Sequence, residues 1–398
     1  MEQNPFWFGG HLQAPQLVDR KTELKQVSQT LTRGGKLFLI GPRRFGKTSV
    51  LQAAITQVEA QGAVILHLNC EAFPSLQSLT ERLFHEAGTR LVKPSKKAGQ
   101  TLKRVFARLR PEISFSLTEQ TISASLNATD EQAAAPVPLL VDVLNGIEAL
   151  AQIVEYPVGI VLDEFQFIIE QGGVAAEGQL RAAMQTHQKT GYVLAGSKTR
   201  MLAEMTMDHA RPFYRLGTRR FLDKVPTAEF VAWIQARLEV RGWSAATAIV
   251  EELLHTAEEV PYDVQRLAHY CYDLLDEQAH LDSGAMKLTS EIIAASRHML
   301  IAESRVLYQY QWNQLTQNQK LTLMVVAQQQ GVNLMSQKVI RGLRLTTANL
   351  QKALPALREK GVLWEEELPQ RTRWRFEDPF FAHWIRDYLP TEQTLGRP

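Results

Sequence analysis

Cysteine is scarce in this chain, neither sign of charge is in excess, and no long apolar run occurs. The two cysteines among 398 residues are Cys70 and Cys271, and neither has a second cysteine at the spacing of a zinc site or a disulfide framework. Isolated, infrequent cysteines are typical of proteins from a reducing compartment. We therefore expect a cytoplasmic protein whose fold depends on neither zinc nor disulfides.

The balance of charge and the lack of long apolar runs exclude two further classes of protein. Lys and Arg total 44, and Asp and Glu total 42, so the chain as a whole is not built to bind a polyanion. Any nucleic-acid contact has to be a local patch. No apolar run approaches the roughly 20 residues of a bilayer span, and the N-terminus lacks the basic-then-apolar pattern of a signal peptide. We expect no membrane contact.

The most informative stretch is an apolar strand, a glycine-bounded loop and the start of a helix. The loop and the first helical turn consist of Gly41, Pro42, Arg43, Arg44, Phe45, Gly46, Lys47, Thr48 and Ser49. They fit Gly-x4-Gly-Lys-Thr, the phosphate-binding P-loop. The glycines let the backbone approach a phosphate, and the loop amides and the helix N-terminus attract an anion. Lys47 is expected to contact the β- and γ-phosphates, and the Thr48 hydroxyl to bind Mg²⁺.

A second motif is an apolar strand that runs into two adjacent carboxylates, Asp163 and Glu164. Open α/β sheets place ligand chemistry at the carboxyl ends of their strands. Taken alone, the pattern is explained about as well by a strand end beside a helix start. Together with a P-loop upstream, it predicts a Walker B motif, in which Asp163 holds the hydration shell of Mg²⁺ and Glu164 is the general base for the attacking water.

A further short strand, residues 191–196, ends at Ser197. In P-loop ATPases of the additional-strand type, such a strand lies between the P-loop strand and the Walker B strand, which makes Ser197, or Thr199 after it, a candidate γ-phosphate sensor. An ordinary strand-to-helix cap is the alternative. Arg211 and Arg215 follow and are candidate arginine fingers, with surface solubility as the other interpretation. The predicted fold class is an α/β P-loop NTPase with a parallel five-stranded core sheet.

The composition changes after Lys224, and we predict three domains. Residues 1–223 would be the ATPase domain, with a β-hairpin inserted near 112–127. Residues 224–304 would be an α-helical lid, because helical periodicity dominates there. Residues 305–398 follow the order helix, helix, helix, two strands, which is the pattern of a winged helix-turn-helix.

Two basic regions leave the question of nucleic acid open. The stretch 90–110 contains eight Lys and Arg and no Asp or Glu, which fits either an anionic partner or a solvated surface. The third helix and wing of the winged helix also carry basic residues, so the helix could enter a major groove. Against this, Glu365–Glu367 lie on the same wing, and Pro355 is expected to interrupt the third helix. Winged helices also serve as protein-interaction modules.

In their order, these stretches resemble the archaeal-type ATPases of the STAND/AAA+ group. The stretches that carry the resemblance are residues 18–24, the P-loop, 162–166, 195–197, 211–214, 261–265 and 378–385. The resemblance implies ATP or ADP binding and Mg²⁺-dependent hydrolysis. It also implies that Arg20 and Glu23 lie near the nucleotide base and that Pro261 packs on the adenine. At two positions where the family usually has glycine, this chain has Asp19 and Glu259.

Three functions are compatible with these motifs. The first is a nucleotide-controlled switch that exposes a surface for a protein partner or another copy of the chain in its ATP state. The second is a DNA-engaging ATPase similar to origin-recognition or transposon-loading proteins, which would bind through the winged helix and the 90–110 stretch. The third is a module that holds nucleotide without cleaving it, and the presence of Glu164 argues against it.

Overall fold

The computed structural model describes residues 4–10, 12, 14–91, 113–117, 122–126, 136–281, 286–336, 346–368 and 371–389. Most of the basic 90–110 stretch and of the predicted second helix of the winged helix therefore lies outside the described residues. The chain divides into two compact units. One is His11–Asp223, and the other combines Met1–Gly10 with Lys224–Pro398.

The first unit is an α/β domain. Its strands are β1 (Lys36–Ile40), β2 (Val64–Asn69), β3 (Ile113–Leu117), β4 (Ile122–Leu126), β5 (Val158–Asp163), β6 (Thr190–Gly196) and β7 (Thr218–Phe221). Its helices are α1 (Lys21–Thr32), α2 (Lys47–Glu59), α3 (Leu76–Arg90), α4 (Pro136–Ala151), α5 (Gln166–Thr186) and α6 (Thr199–Met207). Strands β3 and β4 pair antiparallel as a separate two-stranded ribbon.

Five strands form one parallel sheet in the order β2-β5-β6-β1-β7. Strand β6 thus lies between the P-loop strand β1 and the Walker B strand β5, as the sequence predicted. The fold class is confirmed: a five-stranded parallel P-loop sheet of the additional-strand type.

Strands β1, β2, β5 and β6 are apolar nearly throughout because helices cover both faces of the sheet, whereas the edge strand β7 carries Arg219 and Arg220. Successive residues of β1 alternate between two cores. Phe38 and Ile40 belong to the core that includes α3, α4 and α5, whereas Leu37 and Leu39 belong to the core that includes α1 and α2. Helix α1 approaches β6 so closely that a Cβ at Gly191 would lie 2.3 Å from the Thr30 carbonyl oxygen. Helix α1 therefore packs directly against the backbone near the amino end of β6.

The second unit is mainly helical. Its helices are α7 (Thr227–Glu239), α8 (Thr247–Thr256), α9 (Pro261–Leu281), α10 (Ser290–Asn313), α11 (Gln317–Gln328), α12 (Thr347–Glu359) and α13 (Pro379–Tyr388). Strands β8 (Ser244–Ala245) and β9 (Lys287–Leu288) pair in parallel, and β10 (Leu363–Leu368) and β11 (Arg371–Phe376) pair antiparallel. In the ranges that the structure describes, no helix is both long and apolar enough to cross a bilayer.

Aromatic side chains fill the second unit. Phe6 from the N-terminal segment is buried between Trp233 and Tyr272, with ring centroids 5.6 and 6.1 Å away. Helix α12 continues through Pro355, so the expectation that this proline interrupts the third helix is wrong. The proline removes one amide donor from the helix, but the helix continues for four more residues to Glu359.

Candidate nucleotide-binding site

The carboxyl edge of the sheet brings together the motifs that the sequence places far apart. Ile40, the last residue of β1, pairs with Gly196 of β6, and Leu162 of β5 pairs with Leu194 of β6. The amide of Gly41 donates to the Gly196 carbonyl at 3.3 Å. The P-loop, the two carboxylates and Ser197 therefore start from neighbouring strand ends.

The backbone of the P-loop has the conformation that the glycine pattern predicts. Gly46 has φ 86° and directly precedes α2, a left-handed conformation that glycine adopts without steric cost. A Cβ at Gly41 would lie 2.8 Å from the Cβ of Leu222, so only glycine fits where the loop leaves the sheet. Arg44 is also left-handed, with φ 66°. The loop thus turns sharply onto a helix N-terminus, which favours an anion.

Lys47 and Thr48 connect the loop to the rest of the site. The buried Lys47 ammonium donates to the Pro42 carbonyl at 3.1 Å, so its side chain lies back along the loop. The Thr48 hydroxyl donates to Oδ2 of Asp163 at 2.8 Å. Asp163 is buried, and its Oδ1 accepts from the Glu164 amide at 3.0 Å.

The donor set at this point fits Mg²⁺. Proteins bind Mg²⁺ in nucleotide sites through one or two oxygen ligands, with the phosphates and water completing the shell, and a hydroxyl beside a carboxylate is such a pair. The described residues contain no group of three or more His, Cys, Asp or Glu side chains suited to a metal ion.

Glu164 is fixed by three donors on one of its oxygens. Its Oε2 accepts from the Ser197 hydroxyl at 2.8 Å, the Ser197 amide at 3.1 Å and the Gln166 side chain at 2.6 Å. Burial raises the pKa of Glu164, but Lys47 and the hydrogen bonds from Gln166 and Ser197 outweigh it, so the pKa lies below its ordinary value. The carboxylate is therefore ionised at neutral pH, the form that a general base requires.

Ser197 contacts Glu164 and does not act as a helix cap. The residue that precedes α6 is Lys198, and no side chain caps that helix. Thr199, the other sensor candidate, donates to the Ser197 carbonyl at 3.3 Å. Of the two candidates, the structure brings Ser197 into the cluster of Glu164 and Gln166.

The two candidate arginine fingers lie away from the P-loop. Arg211 forms an ion pair with Glu177, a carboxylate that is completely buried in α5. Arg215 is exposed, and its guanidinium lies 5.0 Å from the centre of the Tyr214 ring. It precedes β7, which runs parallel to β1, so it lies at the amino edge of the sheet, opposite the P-loop edge. Neither arginine is placed beside the nucleotide site of its own chain.

Arg20 and Glu23 form a buried network at the start of α1. Arg20 donates to the carbonyl of Asp223 at 2.7 Å. Glu23 accepts from Arg220 at 2.6 and 2.9 Å. This network ties α1 to the end of β7, whose neighbour β1 leads into the P-loop.

The two departures from the family's glycines occur at residues with left-handed backbone. Asp19 has φ 45° and Glu259 has φ 60°, and a non-glycine residue in this region costs about 1 kcal/mol. Both acidic residues therefore hold a backbone conformation that glycine adopts at lower cost. Pro261 begins α9 in the second unit.

Sequence reasoning missed Gln166 and Glu177. Gln166 is completely buried as the first residue of α5, and its only signal was a polar residue inside the Leu-Asp-Glu-Phe-Gln stretch. Glu177 gave no signal, because its partner Arg211 lies 34 residues further along the chain.

Two arginines of the winged helix, Arg358 and Arg375, are engaged in contacts within the second unit. Arg375 is 4% exposed and donates to Glu366 at 2.7 Å and to the Glu258 carbonyl at 2.6 Å. Arg358 pairs with Glu365 at 2.7 Å. These arginines therefore neutralise neighbouring carboxylates and do not form a free basic surface.

Comparisons with known proteins agree with this architecture. A family model described as "Probable winged helix domain" matches residues 306–387, and a search of curated proteins finds no match. The solved Walker-type ATPase PABY2304 of Pyrococcus abyssi is similar, with a TM-score of 0.58 and 15% identity, over 96% of this chain and 99% of that one. The ORC2 protein of Aeropyrum pernix, solved as ADPNP–ADP complexes, gives a TM-score of 0.53 and 14% identity, over 99% of this chain and 96% of that one.

At these identities the likeness concerns the fold, and the resemblance drawn from the motifs is confirmed at that level. The chain has the fold of an AAA+ type P-loop ATPase that carries a C-terminal winged helix.

Proposed function

We propose that this protein binds ATP and hydrolyses it with Mg²⁺. The observation that carries the proposal is the 2.8 Å hydrogen bond between the Thr48 hydroxyl and Asp163. It joins the P-loop helix to the end of β5, so that the Thr48 hydroxyl and the Asp163 carboxylate would together hold a Mg²⁺ that accompanies the phosphates. A chance glycine-rich turn would have no reason to meet a carboxylate from β5.

Each residue of the site has a defined task in this proposal. The loop amides of residues 41–47 and the N-terminus of α2 bind the phosphates, and Lys47 turns from the Pro42 carbonyl to the β- and γ-oxygens. Thr48 and Asp163 would hold Mg²⁺, and the ion would supply positive charge beside the phosphates. Glu164 accepts the proton of the attacking water, and Ser197 orients the Glu164 carboxylate.

Two substitutions separate binding from turnover. Lys47→Ala should abolish ATP binding, because the cation that compensates the β- and γ-phosphates is lost. Glu164→Gln should retain binding and stop phosphate release, because an amide cannot accept the proton. Lys287→Ala, on the short strand β9, is a matched control and should behave as wild type. Normal phosphate release by the Glu164 variant would refute the role of general base.

The resemblance assigns three further residues to the base of the nucleotide. Arg20 and Glu23 are held by Asp223 and Arg220, so their contribution would be to shape the backbone beside the base, and Pro261 would pack on it. Arg20→Met should raise the dissociation constant for ATP and leave that for inorganic triphosphate unchanged. Equal weakening of both ligands would assign Arg20 to the phosphates or to the fold.

Nucleotide-dependent switching is the biological use that we favour. The chain folds as two compact units joined at residues 10–11 and 223–224, which is an arrangement that nucleotide state can bias. Arg215 lies at the amino edge of its sheet, so its role as an arginine finger would be on the nucleotide of a neighbouring copy. Light scattering of Glu164→Gln with ATP should then detect association, and Arg215→Ala should restore the ATP-free size.

DNA binding is the second candidate, and the winged-helix match supports it. The engagement of Arg358 and Arg375 with carboxylates argues against the wing as a DNA contact. Binding to duplex DNA at low salt decides the question, because phosphate contacts are strongest there. Lack of binding under that condition removes this candidate.

A further inference from the structure

Gln166 is an unusual residue for the position it occupies. It is completely buried, and its carbonyl oxygen Oε1 has no hydrogen-bond partner within the described part of the chain. A buried polar atom without a partner lowers the stability of the fold. An apolar side chain of the same size would avoid this cost, so stability alone does not account for the glutamine.

The other end of the same amide does make contacts. Its Nε2 donates to Oε2 of Glu164 at 2.6 Å and lies 3.5 Å from the Ser197 hydroxyl. Ser197 donates to the same Oε2 through both its amide and its hydroxyl. One carboxylate oxygen thus receives three donors from two strand ends.

The sequence around the amide leaves room for it. A Cβ at Gly196 would lie 2.2 Å from the Gln166 Oε1. Because Gly196 has no side chain, the Gln166 amide can lie directly against the end of β6. The carbonyl of Gly196 also accepts from Gly41 at the start of the P-loop. The glutamine is therefore packed where the P-loop, β5 and β6 meet.

We propose that Gln166 is a positioning residue for Glu164: with Ser197, it fixes the carboxylate in the orientation used for hydrolysis. The residue does not touch the nucleotide or the water, and acts through the carboxylate. This inference rests on the proposed ATP hydrolysis. Its structural cost is the unpartnered Oε1, and its benefit is the short bond to Glu164. The same side chain thus lowers the stability of the fold through its unpartnered oxygen and favours hydrolysis through its bond to Glu164.

The test is Gln166→Met, which keeps the size and shape of the side chain and removes the amide. The melting temperature should stay close to that of wild type, because removal of the unpartnered oxygen and loss of the hydrogen bond to Glu164 act in opposite directions. The kcat for ATP should fall by about 10-fold or more, as expected when a general base is misplaced. The KM should stay within about 2-fold, because the phosphate cradle is intact.

Gln235→Met is the matched control. Gln235 is a half-buried glutamine of α7 in the second unit, and its amide donates to the Ala245 carbonyl at 2.8 Å. Its substitution also removes one side-chain hydrogen bond, but outside the residues assigned to the nucleotide site, so kcat should be unchanged.

The outcomes separate this inference from the proposed function. If wild type releases phosphate, Glu164→Gln does not, and Gln166→Met matches or exceeds wild type in kcat, then ATP hydrolysis stands and the positioning role is overturned. If Gln166→Met lowers the melting temperature and raises KM together with the loss of kcat, the residue is structural and the inference is also overturned. If wild type itself releases no phosphate, the proposed function fails and takes the positioning role with it.

Discussion

Glu148 offers a quantitative test of how the first unit holds the strand that leads to the site. This carboxylate of α4 accepts backbone hydrogen bonds from Gln188 at 2.9 Å, Lys189 at 3.1 Å and Thr190 at 2.9 Å. Thr190 is the first residue of β6, which ends at Gly196, next to Ser197. The carboxylate therefore fixes the entry to the strand whose other end contacts Glu164.

The pKa of Glu148 gives the size of this effect. Burial raises the pKa, but the hydrogen bonds from Thr190, Gln188 and Lys189 outweigh burial and hold it at about 2, against an ordinary value of 4.5. At 1.36 kcal/mol per pKa unit, this difference corresponds to about 3 kcal/mol. Glu148 is buried, but its hydrogen bonds replace bonds that the unfolded chain makes with water, so the net contribution is smaller than this difference. We therefore expect Glu148→Gln to lower the free energy of unfolding by about 2 kcal/mol at pH 7.

The direction in which the Glu148 pKa is shifted determines whether its contribution to the free energy of unfolding rises or falls with pH. Because the folded-state pKa is below the unfolded-state value, the stabilisation is fully present above about pH 4.5 and is lost as the pH falls toward 2. Urea unfolding of wild type and variant at pH 7, 5, 4 and 3 should give a difference that shrinks over this range. Glu155→Gln, an exposed glutamate beyond the end of the same helix, is the control. A difference below about 0.5 kcal/mol at pH 7, or one that is independent of pH, would refute the reasoning.

Three further predictions concern other parts of the chain. Arg211→Met should lower the free energy of unfolding by about 3 kcal/mol, because it leaves the buried Glu177 unpaired. In urea unfolding, the double variant with Glu177→Gln should regain most of this stability, and a double variant as unstable as Arg211→Met would contradict the pairing. Burial, together with Arg386 and Arg297, lowers the pKa of His383 to about 4. Wild type should therefore lose stability as the pH falls from 6.5 to 4, and His383→Gln should lose less over that range. Parallel curves of unfolding free energy against pH for the two proteins would contradict the assignment. Asp19→Gly should change the melting temperature little, whereas Asp19→Val should lower it because a β-branched residue fits poorly at φ 45°. Equal melting temperatures of the glycine and valine variants would show that the left-handed backbone is not required.

The sequence predicted the parts of the site that depend on local pattern. The P-loop, the strand before Asp163 and the strand before Ser197 are each short, contiguous and apolar up to a polar end, so spacing alone places them at one edge of a parallel sheet. The position of the strand at residues 191–196, between the P-loop strand and the strand before Asp163, was predicted from the arrangement known in P-loop ATPases of the additional-strand type, and the structure has it there. These predictions required no knowledge of which side chains meet.

Contacts between distant side chains could not be predicted in the same way. Nothing in the sequence distinguishes Arg211 from a surface arginine, because only the fold brings it beside its buried partner Glu177 in α5. The role of Gln166 depends on the oxygen to which its amide donates, and the role of Glu148 on three amides about 40 residues further along the chain. Pro355 was expected to interrupt its helix because proline lacks an amide donor, but the helix continues through it to Glu359.

The most direct test of the central claim is the Mg²⁺ dependence of ATP binding in wild type and in Thr48→Val, a substitution that keeps the shape of the side chain and removes the hydroxyl. Titration calorimetry of wild type should give tighter ATP binding with Mg²⁺ than with EDTA. The variant should lose this gain and retain the affinity measured without metal, because the phosphate cradle and Lys47 are unchanged. Equal Mg²⁺ dependence in the two proteins would contradict a metal site formed by Thr48 and Asp163.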